Sequence, residues 1–287
     1  MAASIPPAIL VGFVSLLGAP DCGVPGGGDP GGGDGGLAGM VDGGGAVQLS
    51  VSSWLLTWDE TGVTRGPAPL GGWRVTSNRG YTVHVDAGRI VNHTVTFGLC
   101  DPRRDAGDAD GGSALGWPRL GVRAAAAHDD ANPSALELSL EEDLANPASR
   151  GPFPSGFPAA AYCRALWLVG RAADANGNPL EPGAVAYSVW IEGTWERAGA
   201  RGAISLRTWW PEGRLVELAD AVTDRAALTS AIGDGKARRA EVTVERHLGT
   251  LFDDIDLATA TPELLADGVL GNLVRRAAVR VALRPAE

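Results

Sequence analysis

The sequence predicts a mainly β fold, an antiparallel β-sandwich or partly closed barrel with two or three short helices. Three observations carry this. Short runs of alternating apolar and polar residues recur along the chain, clusters of Gly, Pro, Asn and Asp separate them, and only two longer segments show helical periodicity.

In chain order the strand candidates are "VQLSVSS" (47–53), "YTVHVD" (81–86), "VNHTVTFGL" (91–99), "RLGVRAAAA" (119–127), "ALELSL" (135–140) and "RALWLVGRA" (164–172). After the turn-rich "DANGNPLEPG" (174–183) follow "AVAYSVWIEG" (184–193), "AISLRTWW" (203–210), "RLVEL" (214–218), "AEVTVERHL" (240–248) and "VRVAL" (279–283). The segment 261–277 reads as a helix. Thr261 is its N-cap, Pro262 opens it, Glu263 lies in the first turn and Arg275-Arg276 in the last. Leu265, Val269, Leu270, Leu273 and Val274 form its apolar stripe. A shorter helix, 224–233, starts at Thr223 or Asp224 and stops at Gly233, and "SLEED" (139–143) fits a capping box for a single turn. A domain break in "RGPFPSGFP" (150–158) competes with a single β-rich domain over 46–287; the single domain is preferred.

The N-terminal region predicts an address. The apolar run 5–19 suits the core of a signal segment (1–21) and is too short to cross a bilayer as a helix. Cys22 follows at the position where a bacterial lipoprotein is acylated. Residues 22–45, mostly Gly with Asp and Pro, lack the apolar side chains that would offset the entropy of ordering them. They read as a flexible tether reaching roughly 25 to 30 Å. The G-x-G-x-x-G match at Gly26 to Gly31 has no strand before it or helix after it, so it is compositional. The expected location is the periplasm or cell surface, with the membrane reached through a lipid anchor.

The three cysteines agree with export: beside Cys22, Cys100 and Cys163 each sit at the edge of a strand run and predict a disulfide, with two buried free thiols the alternative. A net charge of -10 argues against a nucleic-acid partner, which requires clustered cations. No catalytic signature such as H-E-x-x-H or G-x-S-x-G occurs, so the reading is non-enzymatic.

Four histidines, His84, His93, His128 and His247, are the candidate metal ligands. A two-residue hairpin loop about Gly88-Arg89 would set His84 across from His93, at a spacing that suits two ligands of one ion. A three-residue loop matches the apolar pattern better and turns His84 away. The remaining alternative is one long strand bent at Ala87-Gly88, with the two histidines unpaired. His93 is then either a hydrogen-bonded core imidazole or a ligand. The acidic runs "DPRRDAGDADGG" (101–112) and "FDDIDL" (252–257) lack the spacing of a calcium loop and read as turns and caps. Among the nine tryptophans, Trp167 has core parity; for Trp190, Trp195, Trp209 and Trp210 core packing is the default, and an exposed aromatic surface for a sugar or protein ligand is the alternative.

Together, "GYTVHVDAGRIVNHTVTFGLC", "AYCRALWLVG" and "LFDDIDL" resemble exported bacterial copper-binding proteins, the methanobactin-associated partners of di-haem peroxidases. The resemblance implies a periplasmic protein partner and a histidine-centred copper site that includes His93. The chain departs from the family's four-cysteine pattern, having only Cys100 and Cys163 in its folded part.

Overall fold

A computed structural model describes residues 46–66, 71–100, 133–171 and 187–286. It is mainly β: one large curled sheet forms a half-barrel, accompanied by three short helices. Residues Asp42–Glu287 make one compact unit. The signal and tether segments, Cys22, the 101–112 acidic run, the 119–127 strand and His128 lie outside the described residues.

The strands are β1 (Val47–Asp59), β2 (Val63–Arg65), β3 (Trp73–Thr76), β4 (Thr82–Leu99), β5 (Leu136–Asp143), β6 (Arg150–Val169), β7 (Val189–Arg197), β8 (Ala200–Thr208), β9 (Glu212–Glu217), β10 (Arg238–His247) and β11 (Ala278–Pro285). β4 is the organising element. The two runs 81–86 and 91–99 are one strand of 18 residues, so of the three arrangements considered the single long strand is the one formed. Gly88 does not make a turn there. A Cβ at Gly88 would lie 2.9 Å from the carbonyl oxygen of Trp190, so glycine lets β7 approach.

Along one side of β4 run β3 and β5, along the other β7 and β6. Val91 shows how β7 and β6 meet. Its N–H donates to Ser188 and its carbonyl accepts from Gly170. Both groups of one residue point to the same side of an antiparallel strand, so the start of β7 abuts the end of β6 there. Outward from β7 lies β8, and outward from β6 lie β9 and β1; β1 pairs in parallel with β10, the exception in an otherwise antiparallel sheet. β11 closes the series beside β10. The edge of β11 is covered: Thr223 N–H donates to the Val281 carbonyl, and Val222 makes a parallel bridge to Val281.

Two local expectations are corrected. "SLEED" is not a helical turn but the end of β5, where Leu140, Glu141, Glu142 and Asp143 pair antiparallel with β4 and Ser139 falls at the register shift. "RGPFPSGFP" is not a break, because it opens β6 and pairs with β1 from Val51↔Gly156 to Leu56↔Arg150. Pro152 and Pro154 lie where β6 has β1 along one side only. The other side of this part of β6 pairs with no strand among the described residues, and an edge is where a sheet tolerates proline.

The helices are α1 (Leu218–Ala221), α2 (Arg225–Asp234) and α3 (Pro262–Arg275). Thr261 caps α3 by accepting from Leu264 N–H, and all five residues of the expected stripe are buried, against β8 and β9. Asp224 caps α2, which runs past Gly233 and ends at Gly235 in the left-handed region. Inside the curl, Trp54 packs on Phe97 at 5.1 Å and Phe97 on Tyr162 at 5.9 Å.

Candidate functional site

The half-barrel interior holds a charged cluster. Ala240, Val242 and Val244 point inward along β10, and Arg246 continues that parity into the core, where it is 0 % exposed. Its guanidinium bonds both carboxylate oxygens of Glu142, with Nη2 to Oε2 at 3.1 Å, and lies 4.0 Å from the Trp58 ring centroid. Trp58 Nε1 donates to Glu142 at 3.1 Å, and Trp167 Nε1 donates to Asn92 Oδ1 at 2.9 Å. Desolvation lowers the pKa of Arg246 and the facing Glu142 carboxylate opposes that. The cluster is sealed and internally satisfied, so it builds the barrel and does not meet a ligand. Sequence reading missed it, although a charge at the inward parity of β10 was the available signal.

The histidines do not gather. His84 and His93 are nine residues apart on one strand, about 30 Å at the rise of a β-strand. His84 is half-buried between Arg74 and Thr194. His93 is 7 % exposed and its Nδ1 lies 2.8 Å from the Arg171 carbonyl oxygen. A carbonyl only accepts, so Nδ1 carries the proton and Nε2 of the neutral ring is the acceptor. His247 Nδ1 lies 2.9 Å from Asp59 Oδ2. Among the described residues no three of His, Cys, Asp and Glu form a metal-holding group.

His93 sits at an irregularity. Against β6, Asn92 faces Val169 and Thr94 faces Leu168, so His93 is the extra residue of a bulge. The bulge places it at the seam where β6 ends and β7 begins. A Cβ on Gly170 would come 3.2 Å from His93 Cβ and 3.8 Å from Pro211 Cβ, so His93 and the segment Trp209-Trp210-Pro211 flank the same glycine. That segment joins β8, which pairs with β7, to β9, which pairs with β6, and therefore crosses the seam.

Here the tryptophans divide. Trp209 and Trp210 are 49 % and 61 % exposed, with ring centroids 6.3 Å apart. Trp210 N–H is held by Thr208 Oγ1 at 3.3 Å. Trp190 stands on the outer face of β7, directly opposite Arg89 on β4 and Arg207 on β8. Its Nε1 donates to Glu192 Oε1 at 3.0 Å, and the Arg89 guanidinium carbon lies 5.9 Å from its ring centroid. Arg207 also borders the Tyr187 ring at 5.8 Å. Trp195 does not join this surface. It meets Tyr81 edge-on at 5.4 Å and packs against the core, covering Gly202, so its ring is spent on packing. Trp167 is fully buried, as its parity predicts.

Cys100 and Cys163 form a disulfide, with sulfurs 2.02 Å apart, beside this sheet. The β4–β6 register passes from Gly98↔Arg164 to Leu99↔Tyr162 and skips Cys163, the bulge residue facing Cys100. The carboxylates of "FDDIDL" are committed to the fold. Asp253 and Asp254 bond Arg276 at 2.8 and 2.7 Å and also bond Asn78, while Asp256 accepts from the Tyr81 hydroxyl. The shallow depression beside them, about 340 Å³, is lined by these paired groups and by α3.

Comparison with known proteins gives no matching family model, no matching curated protein and no matching solved structure.

Proposed function

We propose that the protein is an exported, lipid-anchored binding protein of the bacterial cell envelope that holds a carbohydrate on the aromatic surface at the β6–β7 seam. The carrying observation is the pair Trp209 and Trp210, which expose two large rings side by side on a segment fixed by Thr208 and Pro211. Indoles left in solvent at adjacent positions offer the flat apolar faces on which the C–H faces of sugars stack. The Cys100–Cys163 disulfide supports an oxidising compartment.

Titrating the purified protein with a panel of oligosaccharides, followed by Trp fluorescence, tests the reading. Trp209→Ala and Trp210→Ala should each weaken binding about tenfold, corresponding to about 1.4 kcal/mol. Binding that is equal in the variants and the parent removes it. The address is tested separately: Cys22→Ala should abolish labelling by a radiolabelled fatty acid and release the protein from membranes.

Copper held through histidine is the second reading, favoured by His93 and His247. Each has Nδ1 within hydrogen-bond distance of an oxygen, as oriented metal ligands do. Equal Cu(II) affinity in the parent and His93→Ala would eliminate it.

A further inference from the structure

We infer that the outer face of β4, β7 and β8 carries a polar subsite, formed by Trp190, Glu192 and Arg207, that recognises the paired hydroxyls of a neutral sugar. The inference rests on the carbohydrate reading and names the class of ligand.

The argument starts from strand parity. Val189 and Ile191 point into the core, so Trp190 and Glu192 point outward, and cross-strand pairing sets Arg207 opposite Trp190 and Ser205 opposite Glu192. Glu192 Oε1 accepts from three groups: Trp190 Nε1 at 3.0 Å, Ser205 Oγ at 2.9 Å and Arg207 Nη2 at 3.4 Å. These bonds fix both the carboxylate and the indole. Partial burial pushes the Glu192 pKa up, but the three donors outweigh it and hold the group ionised. Glu192 Oε2 accepts no hydrogen bond from the described residues, which leaves it to a ligand. Arg207 is 55 % exposed on its side chain, and its hydrogen bonds to Glu192 and Tyr187 occupy only part of its five donors.

An immobilised indole, an acceptor-only oxygen and a guanidinium donor therefore share one face. A pyranose matches all three: its C–H face lies on the ring, one hydroxyl donates to Glu192 Oε2, and a neighbouring hydroxyl accepts from Arg207. Charge decides against an ionic ligand. Arg89 and Arg207 flank Trp190, but Glu141 pairs with Arg89 and Glu192 with Arg207, so the patch carries no surplus of either sign.

The test is calorimetric titration of the full chain with a neutral oligosaccharide panel and with uronate-containing counterparts. The parent should prefer the neutral series, and Glu192→Gln and Trp190→Ala should each weaken it about tenfold, as loss of a hydrogen bond to a charged group or of a stacked ring does. Unchanged thermal midpoints exclude misfolding as the cause, and the isosteric Glu192→Gln decides if Trp190→Ala is unstable. Neutral-glycan binding that falls with Trp209→Ala but stays within twofold in Glu192→Gln and Trp190→Ala overturns this subsite and leaves the aromatic-surface reading standing. A preference for uronates also overturns the neutral assignment alone. No response to any glycan overturns both and points instead to a protein ligand.

Discussion

Arg246 and Glu142 meet as a two-point ion pair between β10 and β5, at 0 % and 1 % side-chain exposure, with the Trp58 ring against the guanidinium. The strands they come from are not neighbours in the sheet, so the pair spans the inside of the curl. Taking either charge out of water is expensive, and only the other charge offsets it. Glu142→Leu or Arg246→Met alone should therefore cost about 3–5 kcal/mol in urea unfolding, because each strands a buried charge. The double variant should lose distinctly less than the sum, and strict additivity would mean that the two groups do not depend on each other.

The disulfide should matter by its loop length. Cys100 and Cys163 are 63 residues apart, and closing a loop of that size restrains the unfolded chain by about 4 kcal/mol. Reduction, or Cys100→Ser with Cys163→Ser, should lower the denaturant midpoint accordingly. A midpoint that does not move would show that the bridge is absent in the native protein.

Asp59 makes acid stability testable. Bonds from the Thr61 hydroxyl and N–H, followed by the bond with His247, pull its pKa down to about 2. A folded pKa below the unfolded one stabilises above the unfolded value, near 4, and that contribution is lost as pH falls through about 2. Both side chains of the Asp59–His247 pair are partly exposed, at 34 % and 26 %, so solvent screening holds the gain to about 1 kcal/mol or less. Asp59→Asn should forfeit it already at neutral pH and flatten the thermal-midpoint profile between pH 4 and pH 2.

Gly202 reports on Trp195. A Cβ there would fall 2.7 Å from the indole, which Tyr81 holds from the other direction. Gly202→Ala should destabilise by about 1–3 kcal/mol through overpacking, with an altered near-UV Trp signal. An unchanged spectrum would mean that the ring has room to move, and would return Trp195 to the exposed set.

Local chemistry was readable where it is set by neighbours in the chain. Thr261, Pro262 and the 3.6-residue stripe specify α3, and Asp224 specifies the start of α2. Alternation marked a part of every described strand except β2 and β3, which at three and four residues are too short to show a period, and the edge positions of Cys100 and Cys163 anticipated their bridge. Glycine was the weak point. In sequence, Gly88 between two β runs looks like a hairpin, but the residue serves an approach by Trp190 that lies 102 positions further along.

The sequence by itself determined that this chain builds sheet and where its two longer helices begin, because period, caps and proline act within a few residues. Tertiary structure alone decided that β4 is continuous, that Arg246 finds Glu142, and that Trp209 and Trp210 stay in solvent while Trp195 is packed away. Each of these depends on which backbone lies alongside which. That is fixed by burial and hydrogen bonding between segments far apart in the chain, for which a single sequence carries no local mark.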